Sequence, residues 1–236
     1  VHASIYSLRI DHSWLPAQPE PDKDIVDWDR WLGPAPYRPY NSRYVQGGWR
    51  GYADFDSGAT LLDWGAHTAD LCQWANDADN TTPLTYEPVE GGSIIAKYAN
   101  GVKLVMRRGG FSNEGKWLGL GTCPVRFEGD EGWVETGDSG GIKLYPESLM
   151  GERKRYLRRG TDPAGHTSNF FQCVRSRALT ACNADVMRHS HLTCHAAAIA
   201  WQLGRKVTFD PDKEAFVNDE EANRMRTRAK RAPWKA

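Results

Sequence analysis

Between positions 60 and 76, Leu61, Trp64, Thr68, Leu71 and Ala75 recur every three or four residues, the period of a helix with one buried face. Asp56-Ser57-Gly58 supplies a turn into it. The period then shortens to two. Residues 93–98 and 102–107 alternate around Ala99-Asn100-Gly101, and Asn-Gly between alternating runs predicts a β-hairpin. Strands at 125–128 and 133–136 flank Gly129-Asp130-Glu131-Gly132, and 142–145 follows Gly140-Gly141. Consecutive hairpins make an antiparallel sheet. Residues 1–10 alternate like a strand already in progress, so the chain is expected to continue an element begun upstream. After Asp162-Pro163 a helix is expected to about residue 177 with Phe170, Phe171 and Val174 inward. A second runs 184–203 and stops at Gly204, then a short strand at 207–209 and a capped helix from Asn218, acidic then basic, expected to dock. Strands and helices are segregated, which indicates an α+β domain: a mainly antiparallel sheet with helices packed on one face.

Residues 14–52 carry too many prolines for a helix or a central strand, yet they include Trp14, Trp28, Trp31, Tyr37, Tyr40, Tyr44, Trp49 and Tyr52. Disordered linkers lack aromatics, so this is an ordered loop stapled to the core, of a length that usually serves function. The 236 residues suffice for a real core, here one α+β domain with a tail at 206–236. Thirty basic residues balance thirty acidic ones, which gives no field for nucleic acid or an anionic membrane and suits small neutral substrates. Five scattered cysteines, with no C-x-x-C pair, argue for buried thiols rather than a disulfide framework or zinc knuckle. No apolar run reaches the length of a membrane span. The cytoplasm is the expected compartment, with the periplasm open if a leader precedes Val1.

Asp63, His67 and Asp70 fall at i, i+4 and i+7 of the first helix, one polar stripe on its face. Imidazole both gives and takes a proton near neutrality, and a carboxylate one turn away would orient the ring and raise its pKa. Asp63 and His67 are therefore candidate acid/base residues. Taken alone, such a spacing is more often a surface pair worth a few tenths of a kcal/mol.

His189, His191 and His195 form a second cluster, with His191 and His195 on one helical face at a spacing that can chelate zinc or manganese. Helix histidines that pack near a pocket explain it more simply. Gly110 to Lys116 matches half of a phosphate loop, but Trp117 stands where Ser or Thr would bind magnesium, and no G-x-G-x-x-G occurs anywhere. Nucleotide triphosphate binding is rejected on that ground. Asn80-Thr81-Thr82 is a formal glycosylation sequon, relevant only after secretion.

In order along the chain, Trp28-Asp29-x-Trp31-Leu32-Gly33-Pro34-Ala35-Pro36, Trp49-Arg50 and Leu62-Asp63-Trp64-Gly65-x-His67-x-x-Asp70 resemble the glucose-fructose oxidoreductase/inositol dehydrogenase/rhizopine-catabolism (Gfo/Idh/MocA) family. Asn169-Phe170-x-x-Cys173-Val174-Arg175-Ser176-Arg177 and Cys194-His195 to Gly204-Arg205-Lys206 are similar to its closing helices. The resemblance is to the family's C-terminal half. It implies an open antiparallel sheet that supports homo-oligomerisation, and an NAD(P)-binding Rossmann domain that is absent from this chain along with its Gly-rich loop and assisting lysine. It also implies that Asp63 and His67 are the acid/base pair for oxidising a sugar or polyol hydroxyl. Asp70, Arg50, Tyr52 and Trp64 become candidates for binding that substrate. Two alternatives stand beside it: a carbohydrate-binding or interface module without turnover, and a dinucleotide-independent hydrolase or lyase using His189, His191, His195 and a metal.

Overall fold

The computed structural model describes residues 1–5, 8–56, 58, 60–108, 120–150 and 163–234. Among the described residues nine strands form one open sheet. They are β1 His2–Ile5, β2 Thr85–Val89, β3 Ser93–Lys97, β4 Lys103–Arg108, β5 Val125–Gly129, β6 Gly132–Thr136, β7 Ile142–Tyr145, β8 Val207–Asp210 and β9 Ala215–Phe216. Their order across the sheet is β7-β6-β5-β1-β4-β3-β2-β8-β9. The expected hairpins form, with Gly101 at φ +88° closing β3 to β4, a left-handed value that favours glycine. Every neighbouring pair is antiparallel except β1 and β4, which run parallel from His2↔Val105 to Ile5↔Arg108. The first strand thus inserts between two hairpins that are adjacent in sequence. A two-residue period cannot indicate such an insertion, because it fixes which face a side chain takes but not which strand lies beside it.

β2 has no counterpart in the sequence reading, and it contains Pro88, a residue that speaks against a central strand. The ladder explains its presence. β8 pairs only with Thr85 and Tyr86, so Pro88 lies past the end of that neighbour.

Two helices lie together on one face of the sheet, α3 (Gly65–Ala75) and the long α5 (Ala184–Leu203). The core between them and the strands is built from Ala3, Ile5, Tyr86, Ile94, Leu104, Met106 and Val125 below, and Ala69, Cys72, Cys194 and Ala197 above. Small helix residues let the backbones approach closely. The single helix expected over 60–76 is broken into α2 (Thr60–Asp63) and α3, with the His67 N–H bonded three residues back to Trp64 O at 3.2 Å. The buried face is offset from the expected one. Leu61, Gly65, Thr68, Ala69 and Cys72 face inward, while Trp64 is 40% exposed and Ala75 is also exposed.

Gln73 joins three elements from a fully buried position. Its amide donates to Ala78 O (3.2 Å) and Thr81 O (3.0 Å), and its carbonyl accepts from Tyr98 Oη (2.6 Å) and Thr193 Oγ1 (3.3 Å). All four hydrogen-bonding valences of the side chain are used. Thr68 Oγ1 adds a bond to Ser4 O at 3.0 Å, which pins α3 to β1.

Other expectations meet mixed outcomes. α4 (Pro163–Ser176) forms, but Phe170, Phe171 and Val174 are 54%, 55% and 45% exposed, because among the described residues no element packs closely on its apolar side. Helical spacing identified the stripe and not its partner. The aromatic loop does contain a helix, α1 (Trp28–Leu32), in the proline-free stretch between Pro21 and Pro34. Asp27 caps it by accepting from Arg30 N. The expected C-terminal helix is shorter than its charge pattern indicated: α6 covers only Glu220–Arg224. Past α6 the tail docks as an extended segment, with Arg231 bonded to Asp29, Gly33 and Ala35 and Arg228 to Asp56 O (2.7 Å). Cys72, Cys123 and Cys194 are buried, Cys173 is half-buried and Cys182 exposed; all five are free thiols. The Gly110 to Lys116 segment lies outside the described residues. No helix among the described residues is long and apolar enough to cross a membrane.

Replacing Gln73 with Leu removes the side-chain partner of the Tyr98 and Thr193 hydroxyls and of the Thr81 carbonyl, while Ala78 O keeps its bond from Thr81 N. Each such buried loss costs ~1–3 kcal/mol. Urea unfolding should therefore register a destabilisation of ~3 kcal/mol or more, and a change below ~1 kcal/mol would show that the amide network does not hold the helix pair.

Candidate functional site

The loop before α2 is organised by a buried cation. Arg38 is 1% exposed, yet it carries a full charge into an aromatic cluster of Trp28, Tyr40, Tyr44 and Tyr52, with Trp31 and Phe55 packed around it. Its guanidinium ion-pairs with Asp54, donates to Tyr44 Oη at 3.0 Å and lies 4.8 Å from the Phe55 ring centroid. Desolvated cation–π contacts of this kind are worth about 2 kcal/mol. Trp28 Nε1 bonds the Arg38 carbonyl (3.0 Å), and Leu15 N donates to Tyr44 Oη (2.8 Å). Few conformations of the loop satisfy all of these at once, so the stretch that ends at Trp49 and Arg50 is fixed in place.

Asp56 then sets the entry to α2, accepting from Gly51 N (2.8 Å) and Gly58 N (3.1 Å). Across this junction Arg50 Nε donates to Asp63 Oδ2 at 2.9 Å, and the guanidinium lies 4.7 Å from the Trp49 ring centroid. Trp49, Arg50, Phe55, Asp56, Leu62 and Asp63 line a cavity of about 290 Å³, closed on the other side by His191 and His195 of α5. Asp63 is thus held by Arg50. His67, expected to be oriented by it, makes no side-chain hydrogen bond or ion pair among the described residues. Its exposed ring sits 6.3 Å from the ring of Trp64, centroid to centroid.

The remaining sequence candidates divide. Ser190 Oγ donates to Asp70 at 2.7 Å, so that carboxylate ties α3 to α5. Tyr52 is 7% exposed within the aromatic cluster and stacks edge-on against Tyr44. Both are engaged in holding the fold. His191 and His195 do reach the cavity, at the i, i+4 spacing that the sequence made visible. His189 Nδ1 donates to Asp185 O (2.8 Å) and His191 Nδ1 to Met187 O (3.0 Å), which leaves Nε2 of the neutral ring to accept. Among the described residues, no three His, Cys, Asp or Glu side chains converge to hold a metal ion. Arg38 and Phe55 escaped the sequence reading; an arginine between tyrosines in Tyr37-Arg38-Pro39-Tyr40 was the available signal.

Residues 10–236 match a family described as the C-terminal alpha/beta domain of an oxidoreductase family, Gfo/Idh/MocA. The chain belongs to this family. No curated protein matches it. A solved structure from Sinorhizobium meliloti 1021, assigned as a myo-inositol dehydrogenase, aligns at 12% identity with a TM-score of 0.42, covering 88% of this chain. The chain spans 56% of that protein's length.

Gfo/Idh/MocA proteins typically use NAD(P), so the described residues can be tested for a dinucleotide cradle. They do not offer one. Pyrophosphate is held at a helix N-terminus reached through a Gly-rich turn, but Asp27, Asn183 and Asp219 cap α1, α5 and α6 with a side-chain oxygen, and α3 is entered directly from α2 through Trp64. With no Gly-rich fingerprint in the sequence either, the dinucleotide does not fit this set of residues.

His195 is held below the ordinary imidazole pKa by burial first, then by the charges of His191 and Arg228. A histidine depressed in the folded state binds its proton more readily when unfolded. Its contribution to stability is complete above the unfolded value of about 6.5 and is lost as pH falls from there toward the folded pKa. Thermal melts should therefore show stability declining below about pH 6.5, with a shallower decline in His195→Gln. Parallel curves for the two proteins would contradict this.

Proposed function

We propose that Arg50, Asp63, Trp64 and His67 hold a sugar or polyol, and that His67 takes the proton from the hydroxyl undergoing NAD(P)-dependent oxidation. The contrast within the Asp-x-x-x-His pair carries this reading. Asp63 is engaged by Arg50 at 2.9 Å, whereas the exposed His67 imidazole, beside the Trp64 ring, makes no side-chain hydrogen bond or ion pair among the described residues. A general base near neutrality needs a ring nitrogen free for the substrate, and histidine is the side chain suited to that pH.

The neighbours supply what a polyhydroxylated ligand requires. The Arg50 Nε–H is used by Asp63, which leaves the terminal guanidinium N–H groups to donate and Asp63 Oδ1 to accept. Vicinal hydroxyls present both a donor and an acceptor to such a pair. Trp64, 40% exposed beside His67, offers an apolar plane to the C–H face of a sugar ring. In this arrangement Asp63 acts on the substrate more than on His67, and Asp70 and Tyr52 contribute by keeping α3 and the loop in place.

These residues account for the hydroxyl and its proton. The hydride needs an acceptor, and in this proposal that acceptor is a nicotinamide held by residues other than those described. The whole reaction is thus a property of the protein that carries this chain.

In that complete protein, His67→Ala should lower kcat on its preferred sugar or polyol by about 10²-fold or more while leaving binding largely intact. Arg50→Met should raise KM instead. Unchanged turnover in His67→Ala would remove the base from His67, and loss of binding alone would favour a carbohydrate-binding role.

A further inference from the structure

A cavity of about 670 Å³ lies away from Arg50 and Asp63, between α5, the β8–β9 hairpin and the tail that follows α6. That volume falls in the range of small-molecule sites, commonly about 300–1,000 Å³. Its floor is apolar: Leu192, Ala196, Ile199, Phe209, Phe216 and Met225. Phe209 and Phe216 pack edge-on at 5.2 Å, and Ala196, Phe209 and Phe216 are fully buried. An apolar floor alone would suit any hydrophobic group, so the charges at the rim decide what enters.

The rim holds two acidic and three basic side chains, and their partners differ. Asp54 is neutralised by Arg38, and Glu214 by Arg188, both arginines from outside the lining. Arg224, Arg226 and Arg228 also line the cavity, and none has a carboxylate within ion-pair distance among the described residues. Arg226 bonds Asn223 Oδ1 at 3.2 Å, and Arg228 bonds the Asp56 carbonyl at 2.7 Å. His195 reaches the same space, its pKa lowered by burial first and then by the charges of His191 and Arg228. Asp54 and Asp56 act on Arg228 from beyond ion-pair distance, so the charge left without a close counter-ion is positive and centres on Arg224 and Arg226. Guanidinium groups spaced in this way recognise carboxylate and phosphate through paired N–H donors.

We infer that this cavity is a binding site for a small anionic amphiphile, a molecule with a carboxylate or phosphate at the arginine rim and an apolar body over Ile199, Phe209 and Phe216. It is a separate site from the sugar or polyol face proposed above and does not depend on that reading. Its occupant touches α5 at His195, the residue shared with the cavity beside Asp63, so the two sites meet through one side chain.

Isothermal titration calorimetry on the complete protein with octanoate, octyl phosphate, octanol and inorganic phosphate tests the site. Octanoate or octyl phosphate should bind at least about 10-fold more tightly than octanol and than inorganic phosphate, because only they engage both rim and floor. Whichever head group binds better identifies the ligand as a carboxylate or a phosphate. The double variant R224Q/R226Q, which leaves the Arg228 bond to Asp56 intact, should erase that preference without changing octanol binding. Added salt should weaken octanoate and not octanol in the unmodified protein, a readout that needs no variant. Equal affinity for octanoate and octanol, or octanoate binding indifferent to both salt and R224Q/R226Q, would overturn the proposal. Inorganic phosphate binding as tightly as octyl phosphate would do so too.

Discussion

A guanidinium buried among aromatic rings is the constraint on which the candidate site depends. Arg38 has lost nearly all contact with water, and an unpaired charge in that position would cost several kcal/mol. The pair with Asp54, the bond to Tyr44 and the ring faces of Phe55, Tyr44 and Tyr52 offset that cost only while the loop keeps one shape. The loop is therefore specified by electrostatics as much as by burial. Trp49 and Arg50 follow directly from it in the chain and inherit its rigidity, which is what allows an exposed arginine to meet Asp63 at a defined distance.

The other half of the site is fixed by polar groups inside the helix layer. Gln73 and Asp70 sit three residues apart on α3, and both bond to α5, through Thr193 and Ser190. Small residues at Ala66, Ala69 and Cys72 give the dispersion contact, while these hydrogen bonds set the register, since apolar packing of small side chains tolerates sliding and directional bonds do not. The helix that carries His67 is thereby held, and the ring of His67 itself is left outside the network. A packed helix presenting an uncommitted imidazole is the form a positioned base takes.

Much of this was legible in the chain. The Asn100-Gly101 hairpin, α5 with its Gly204 stop, the segregation into α+β and the aromatic anchoring of the long loop all follow from local pattern. What local pattern missed was long-range. β1 inserts parallel to β4 although 102 residues separate Val1 from the Lys103 carbonyl it bonds, and nothing in a two-residue period announces that. Trp64 was read as buried because it shares the three-to-four spacing of Leu61 and Thr68, but Gly65 fits the same period and takes the inward position, leaving Trp64 40% exposed. Arg50, thirteen residues upstream of Asp63, is the side chain that bonds it, a partner that the i, i+4 spacing to His67 does not indicate. Phe170, Phe171 and Val174 show the complementary limit: spacing reveals an apolar stripe, and only the tertiary structure reveals what covers it.

The central claim is that a hydroxyl of a sugar or polyol comes to rest on His67 between Trp64 and the Arg50–Asp63 pair. The most direct measurement is a crystal structure of the complete protein with its preferred sugar or polyol bound. The account predicts one ligand hydroxyl within about 2.6–3.2 Å of a His67 ring nitrogen and neighbouring hydroxyls on Arg50 or Asp63. A ligand seated elsewhere, with His67 facing solvent and the Arg50–Asp63 pair untouched, would contradict it.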